Sequence, residues 1–212
     1  MSRATLKATL KRLVLGISNP LLARATLEHL CAIRMHELDT VLRLIERRGR
    51  LLEIGAGTGW QSRAMAHRGF DVSAIDLPTS NFVGQRIWNV QDYDGHTIPF
   101  PENTFDVVFS SNTLEHIPHV RAFQDEIRRV LKPDGVAIHV LPSVSWRFWT
   151  NLTHPLRYWT PPLAHGEHAS NALSELFAFR RSTWLRLFSE TGWHQHTHVK
   201  SCLLYTSPSP RD

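Results

Sequence analysis

The chain has 212 residues, 42% of them apolar and 20% charged, with a formal net charge of +5. These values exclude a disordered polyelectrolyte, and no apolar run reaches the roughly 20 residues that a membrane-spanning helix needs. With only Cys31 and Cys202, a disulfide-stapled scaffold is excluded and a reducing, cytoplasmic compartment is expected.

The elements follow in chain order. Leu6, Leu10, Leu13, Val14 and Ile17 recur at helical spacing, with Ser2 as a cap and Lys7, Lys11 and Arg12 on the opposite face. This helix is expected to cover the core or the mouth of a site. Peripheral contact of residues 2–17 with a membrane surface is the alternative. Ser18, Asn19 and Pro20 break the pattern, and a second helix runs from about 21 to 48. Residues 1–49 thus read as a helical cap.

From Arg50 strands and helices alternate. "RLLEI", "DVSAID", "IWNVQD", "FDVVFSS" and "VAIHVLP" read as five strands. "GWQSRAMAHRG" reads as a helix, 79–86 as a short helical or irregular piece, and 112–131 as helical with a break near Pro118; "KPDG" reads as a turn. Such alternation predicts an α/β fold, a parallel sheet doubly wound by right-handed crossovers. The rhythm then fails over about 143–169, where Trp146, Trp149 and Trp159 crowd among prolines, as in an insertion over the sheet. A helix is expected at 170–190 and a sixth strand in "WHQHTHVKS".

"LLEIGAGTG" carries the first chemistry. A strand ends at Ile54 and a helix begins near Gly59, so Gly55, Gly57 and Gly59 allow a tight turn against which a ligand can lie. The dinucleotide fingerprint would need a glycine where the chain has Trp60. The loop therefore suits a nucleoside rather than a pyrophosphate. Asp76, at the end of the second strand, can accept from both hydroxyls of a ribose, and Asp94, after the third, from an exocyclic amine. Ser110, Ser111 and Asn112 follow the fourth strand.

"LLEIGAGTG", "AIDLP", "DYDGHTIPFPENTFDVVFSSNTLEHI" and "RVLKPDGVAIHVLPS", in this order, resemble the successive motifs of class I S-adenosylmethionine-dependent methyltransferases, the type 11 group above all, over about 50–142. The resemblance implies a Rossmann-like sheet within a domain spanning 50–201 and S-adenosyl-L-methionine as the cofactor. It implies that Glu53, Gly55, Gly57, Thr58 and Gly59 form the methionine and ribose side of the pocket. Asp76 would hold the ribose hydroxyls, Leu77 would lie against adenine, and Asp94 with Gly95 would bind the adenine amine. Ser111, Asn112, Leu114 and His116 would line the sulfonium end, with His116 as the candidate base.

The methyl acceptor is expected to be a small molecule, apolar or aromatic, because the segment outside the motifs is rich in rings. Trp146, Trp149, His165, Glu167 and His168 are its candidate contacts. His165 and His168, or the His194, His196 and His198 row, match no zinc spacing, so no metal is expected. No nucleic-acid partner is expected either, because no basic cluster is interleaved with aromatics. The rival readings are a catalytically silent scaffold of the same fold and a nicotinamide-dependent oxidoreductase. Finally, residues 202–212, "CLLYTSPSPRD", read as translated sequencing adapter, an artefactual tail. On that reading the sheet is truncated at its C-terminal side and the family's seventh strand is missing.

Overall fold

A computed structural model describes residues 35–46, 48–145, 147, 148, 151, 174–178 and 180–194. A helix over 35–43 (α1) precedes β1 (Arg50–Ile54), α2 (Trp60–Ala66), β2 (Asp71–Asp76), β3 (Gln91–Asp92), β4 (Phe105–Ser111), α3 (Val120–Val130) and β5 (Leu131–Val140). Helical residues 144, 145, 147, 148 and 151 follow, then α4 (Glu175–Ala178) and α5 (Arg181–Glu190). The strands form one parallel sheet in the order β3-β2-β1-β4-β5.

The sequence of β1 explains its central place. Leu51, Leu52 and Ile54 are all fully buried, as a strand covered on both faces requires. Leu51, Val107 and Phe109 pack with Leu38, Val41, Ile45, Met65 and Phe70, so α1 and α2 cover one face. Leu52, Ile54, Ile75 and Val108 pack with Phe123, Ile127, Trp184 and Leu187, so α3 and α5 cover the other. In α3 the buried residues Val120, Phe123, Gln124, Ile127 and Val130 repeat at the spacing that turns one helix stripe to a sheet. The expected double winding is therefore present.

Two expectations need correction. The third strand shrinks from "IWNVQD" to Gln91–Asp92. Ile87 instead donates its amide to Thr58 O at 2.8 Å, and Trp88 packs with Ala56, Ala74 and Val90; this stretch covers the glycine loop and leaves the sheet edge. "KPDG" lies within β5, not before it. Leu131 pairs with Phe105 and Val136 with Val107, so Lys132–Gly135 bulges opposite Asp106, where Lys132 Nζ meets Asp106 Oδ1 at 2.7 Å. As expected, the segment after β4 is helical with a break at Pro118: a 3-10 turn, Leu114–His116, precedes α3. Residues 2–17 and the expected sixth strand from residue 195 onward lie outside the described residues.

Candidate functional site

The glycine loop is pinned to the sheet. Gly55 and Ala56 both donate to Ile75 O, at 2.9 and 3.1 Å. Gly55, Gly57 and Gly59 have φ of 73°, 58° and 76°, in the left-handed region that side chains disfavour. A Cβ on Gly55 would collide with Thr113 Oγ1, and one on Gly59 with Trp88 Cβ. Two of the three bare positions are thus required by the chain's own packing. Gly57 faces the Phe82 ring, 3.3 Å from where its Cβ would stand.

Asp76 is 3% exposed at the carboxyl end of β2. Its Oδ2 accepts the Gly57 amide at 2.9 Å and its Oδ1 the Leu77 amide at 2.8 Å. A carboxylate offers about four acceptor sites, so lone pairs remain on both oxygens. Asp94 is exposed; its Oδ1 accepts the His96 and Thr97 amides at 2.8 and 2.7 Å. The Thr97 and His96 bonds hold the Asp94 carboxyl below its ordinary range. Asp94 Oδ2 has no hydrogen-bond partner among the described residues. Leu77, 40% exposed, touches Gly95, where a Cβ would stand 3.0 Å from Leu77 Cδ2. An exposed apolar side chain therefore lies between a buried and an exposed carboxylate.

Tyr93, which the sequence reading passed over, sits beside both acids. Its amide donates to Asp76 O at 3.2 Å, and burial, then the Asp76 and Asp94 charges, push its phenol well up. Its place directly before Asp94 was the available signal. His119 was also missed; its Nε2 lies 3.0 Å from Gly95 O.

The end of β4 docks on the glycine loop. Asn112 has a φ of 50°, donates its amide to Val140 O at 2.9 Å and its Nδ2 to Ser111 Oγ at 3.1 Å. That sharp turn carries Thr113 onto Gly55. Leu114 departs from the expectation. It is fully buried in the core beneath the turn, among Ile54, Phe123 and Ile127, so it offers no surface to a ligand. His116 is half-buried, its Nε2 3.8 Å from Oε1 of the buried Glu115. Glu53 also departs from a wall position. It is 2% exposed and its Oε2 accepts from Ser62 Oγ of α2. Burial, with a smaller push from Asp76, raises its carboxyl to about 8, so it is a neutral support beneath the loop at pH 7. Trp146, Trp149, His165, Glu167 and His168 lie outside the described residues.

Beside the start of α3, a cavity of about 490 Å³ is lined by Pro118, His119, Arg121, Ala178, Thr183 and Trp184 among others. Among the described residues no three His, Cys, Asp or Glu side chains gather into a metal cluster, and no helix is long and apolar enough to cross a membrane.

The donor set can be tested against an adenosyl group. Two carboxylates have open lone pairs: Asp76 ends β2, and Asp94 lies two residues beyond β3, whose Asp92 pairs with Asp76. Apolar Leu77 lies exposed between them, and the left-handed Gly57 backbone adjoins. These features fit a sugar with two hydroxyls and a flat, amine-bearing base.

Comparison with known proteins agrees. A model of the family described as "Methyltransferase domain" matches residues 24–197. The ubiquinone biosynthesis O-methyltransferase of Paramagnetospirillum magneticum is 31% identical over 141 residues, 62% of this chain and 57% of that protein. The 2-methyl-6-phytyl-1,4-hydroquinone methyltransferase of Synechocystis is 28% identical over 121 residues, 53% of this chain and 37% of that protein. The chain thus spans well under two thirds of these relatives' lengths. Among solved structures, the YcgJ protein of Bacillus subtilis superposes with a TM-score of 0.50 at 26% identity, over 74% of this chain and 68% of that one. A Bacillus halodurans structure shares the fold with a TM-score of 0.53 at 21% identity, over the same 74% and 68%. With the family match covering most of its length and the parallel sheet of the class I type beneath it, the chain belongs to the methyltransferase domain family.

Proposed function

We propose that the chain binds S-adenosylmethionine and directs its methyl group to a small-molecule acceptor. The observation that carries this reading is the pair Asp76 and Asp94 on either side of exposed Leu77, with the Gly57 amide fastened to Asp76 Oδ2 at 2.9 Å. Bound there, the cofactor supplies a methyl group already activated by a sulfonium. The chain's own residues bind and orient. Asp76 accepts from the ribose hydroxyls, Asp94 Oδ2 from the adenine amine, and Leu77 packs on the base. Ser111 and Asn112, held against the loop through Thr113 and Gly55, border the reacting end. His116, beside Glu115 in that turn, takes the acceptor's proton where the acceptor is a hydroxyl or an amine.

The acceptor is assigned as apolar or aromatic, with Trp146, Trp149, His165, Glu167 and His168 on its side of the site. What supports this is the mainly apolar cavity at the start of α3 and the quinone and hydroquinone chemistry named for two relatives. A cytoplasmic location agrees with a chain of only two cysteines. The rival reading, a catalytically silent scaffold, gives no use to the lone pairs that both acids leave open.

Isothermal titration with S-adenosylmethionine tests the first half. Wild type is expected to bind, and Asp94→Asn to bind at least about tenfold more weakly; no binding by the wild type sinks the reading. Transfer of labelled methyl to a panel of quinols, phenols and lipids tests the second half.

A further inference from the structure

We propose that His119 is a positioning residue that sets the place of Asp94, and through it the preference of the site for a 6-amino purine. The inference rests on the cofactor reading above.

The segment that carries Asp94 is held by one face of α3. Arg129 donates to Ile98 O and Phe100 O, both at 2.8 Å, and Glu126 Oε2 accepts the Ile98 amide at 2.9 Å. These bonds fix the far end of the segment. At the Asp94 end, the α3 side chain that reaches across is His119, whose Nε2 lies 3.0 Å from Gly95 O. A carbonyl only accepts, so Nε2 carries the proton. His119 occupies the N-cap position of α3 but makes no side-chain cap bond. Its ring is committed to the neighbouring turn.

The ring does more than hold Gly95. His96 stacks on it, with centroids 4.1 Å apart and planes 11° apart, and Phe123 meets it edge-on at 6.0 Å and 83°. The His96 amide is one of the two that Asp94 Oδ1 accepts. His119 therefore grips the carbonyl just after Asp94 and the residue whose amide orients the carboxylate. Gly95 between them has a φ of 82°, a conformation that glycine adopts freely and leaves freely. The Asp94 Oδ1 bonds hold the turn within itself, and the His119 bond fixes it against α3. Without the His119 bond, Asp94 Oδ2 would lose its set direction towards the amine.

The test uses the full chain and two ligands, S-adenosylhomocysteine and its 6-oxo counterpart S-inosylhomocysteine, by isothermal titration. Wild type is expected to prefer the amine by roughly tenfold or more, the scale of one net hydrogen bond or above. His119→Leu should bring that ratio close to one, mainly by weakening the amino ligand. His119→Gln, whose amide nitrogen replaces Nε2, should restore most of it. Full discrimination in His119→Leu, or no rescue by His119→Gln, overturns the inference. Wild type binding neither ligand overturns the cofactor reading, and this inference with it. Amide exchange of the free protein supplies a second measurement in the milder His119→Asn. The His96 and Thr97 amides should exchange faster there while the Ile98 amide, held by Glu126, does not. Unchanged exchange at His96 and Thr97 also overturns the inference.

Discussion

Asp76 Oδ2 accepts the Gly57 amide at 2.9 Å across the boundary between β2 and the glycine loop. One buried carboxylate thus shapes the loop and presents the remaining lone pairs to a ligand. Asp76→Ala should therefore fail twice. Cofactor affinity should fall at least about tenfold, and folding should lose about 1–3 kcal/mol because the Gly57 and Leu77 amides lose their acceptor. Titration calorimetry and urea unfolding read the two losses. Unchanged affinity would place the ribose elsewhere.

Gly55 and Gly69 both have positive φ, 73° and 92°, but only Gly55 is crowded. A Cβ there meets Thr113, whereas one on Gly69 meets nothing within 4 Å. Gly69→Ala should cost about 1 kcal/mol, the backbone cost alone. Gly55→Ala should cost more, and adding Thr113→Ala should recover part of the excess in a double-mutant cycle. Equal costs at the two glycines would show that the Thr113 contact yields without penalty.

Two buried groups shape stability against pH in opposite directions. Glu53 is raised to about 8 by burial, so from its ordinary pKa upward the unfolded chain releases a proton that the folded chain keeps. That contribution is complete below about 4.5 and is lost as pH rises to 8. His139, bonded to Ser110 Oγ at 2.8 Å and stacked on Phe188, is pushed down to about 4 by burial. Its contribution is complete above about 6.5 and is lost as pH falls to 4. The two slopes offset each other between 4.5 and 6.5. Between 6.5 and 8 Glu53 acts alone, at about 1.4 kcal/mol per pH unit at most. Chemical denaturation across this range should show wild-type stability falling above 6.5 and Glu53→Gln nearly level. A parallel decline in Glu53→Gln would refute the assignment.

Arg147 Nε meets Glu175 Oε2 at 2.6 Å, with side chains 2% and 0% exposed. The pair ties the chain leaving β5 to α4, whose Ala178 lines the cavity. Removing one partner strands a buried charge, so Glu175→Gln and Arg147→Met should each cost about 3–5 kcal/mol. Replacing both by methionine should recover much of that loss. Guanidinium unfolding checks the series. A single-variant loss under about 1 kcal/mol would mean that water reaches the pair.

What the sequence by itself determined is local. The apolar run of β1, the three glycines and the acids at the ends of β2 and β3 are each encoded within a few consecutive residues. Strand–turn–helix alternation then admits few topologies. The positions of Asp76, Leu77 and Asp94 at strand ends were legible for this reason, and Leu77 lies against Gly95, next to Asp94.

What only the tertiary structure decided depends on partners far apart in the chain. Glu53 looked like a pocket wall until Ser62 and burial claimed it. Leu114 belonged to the motif but was taken by the core. Residues 87–90 had strand composition, yet covering the glycine loop left only Gln91–Asp92 in the sheet. His119 carries no signature of its own, Tyr93 only its place before Asp94, and the Arg147–Glu175 pair none. Their roles arise from what lies opposite them, and a linear pattern of hydropathy and glycine holds no information about that.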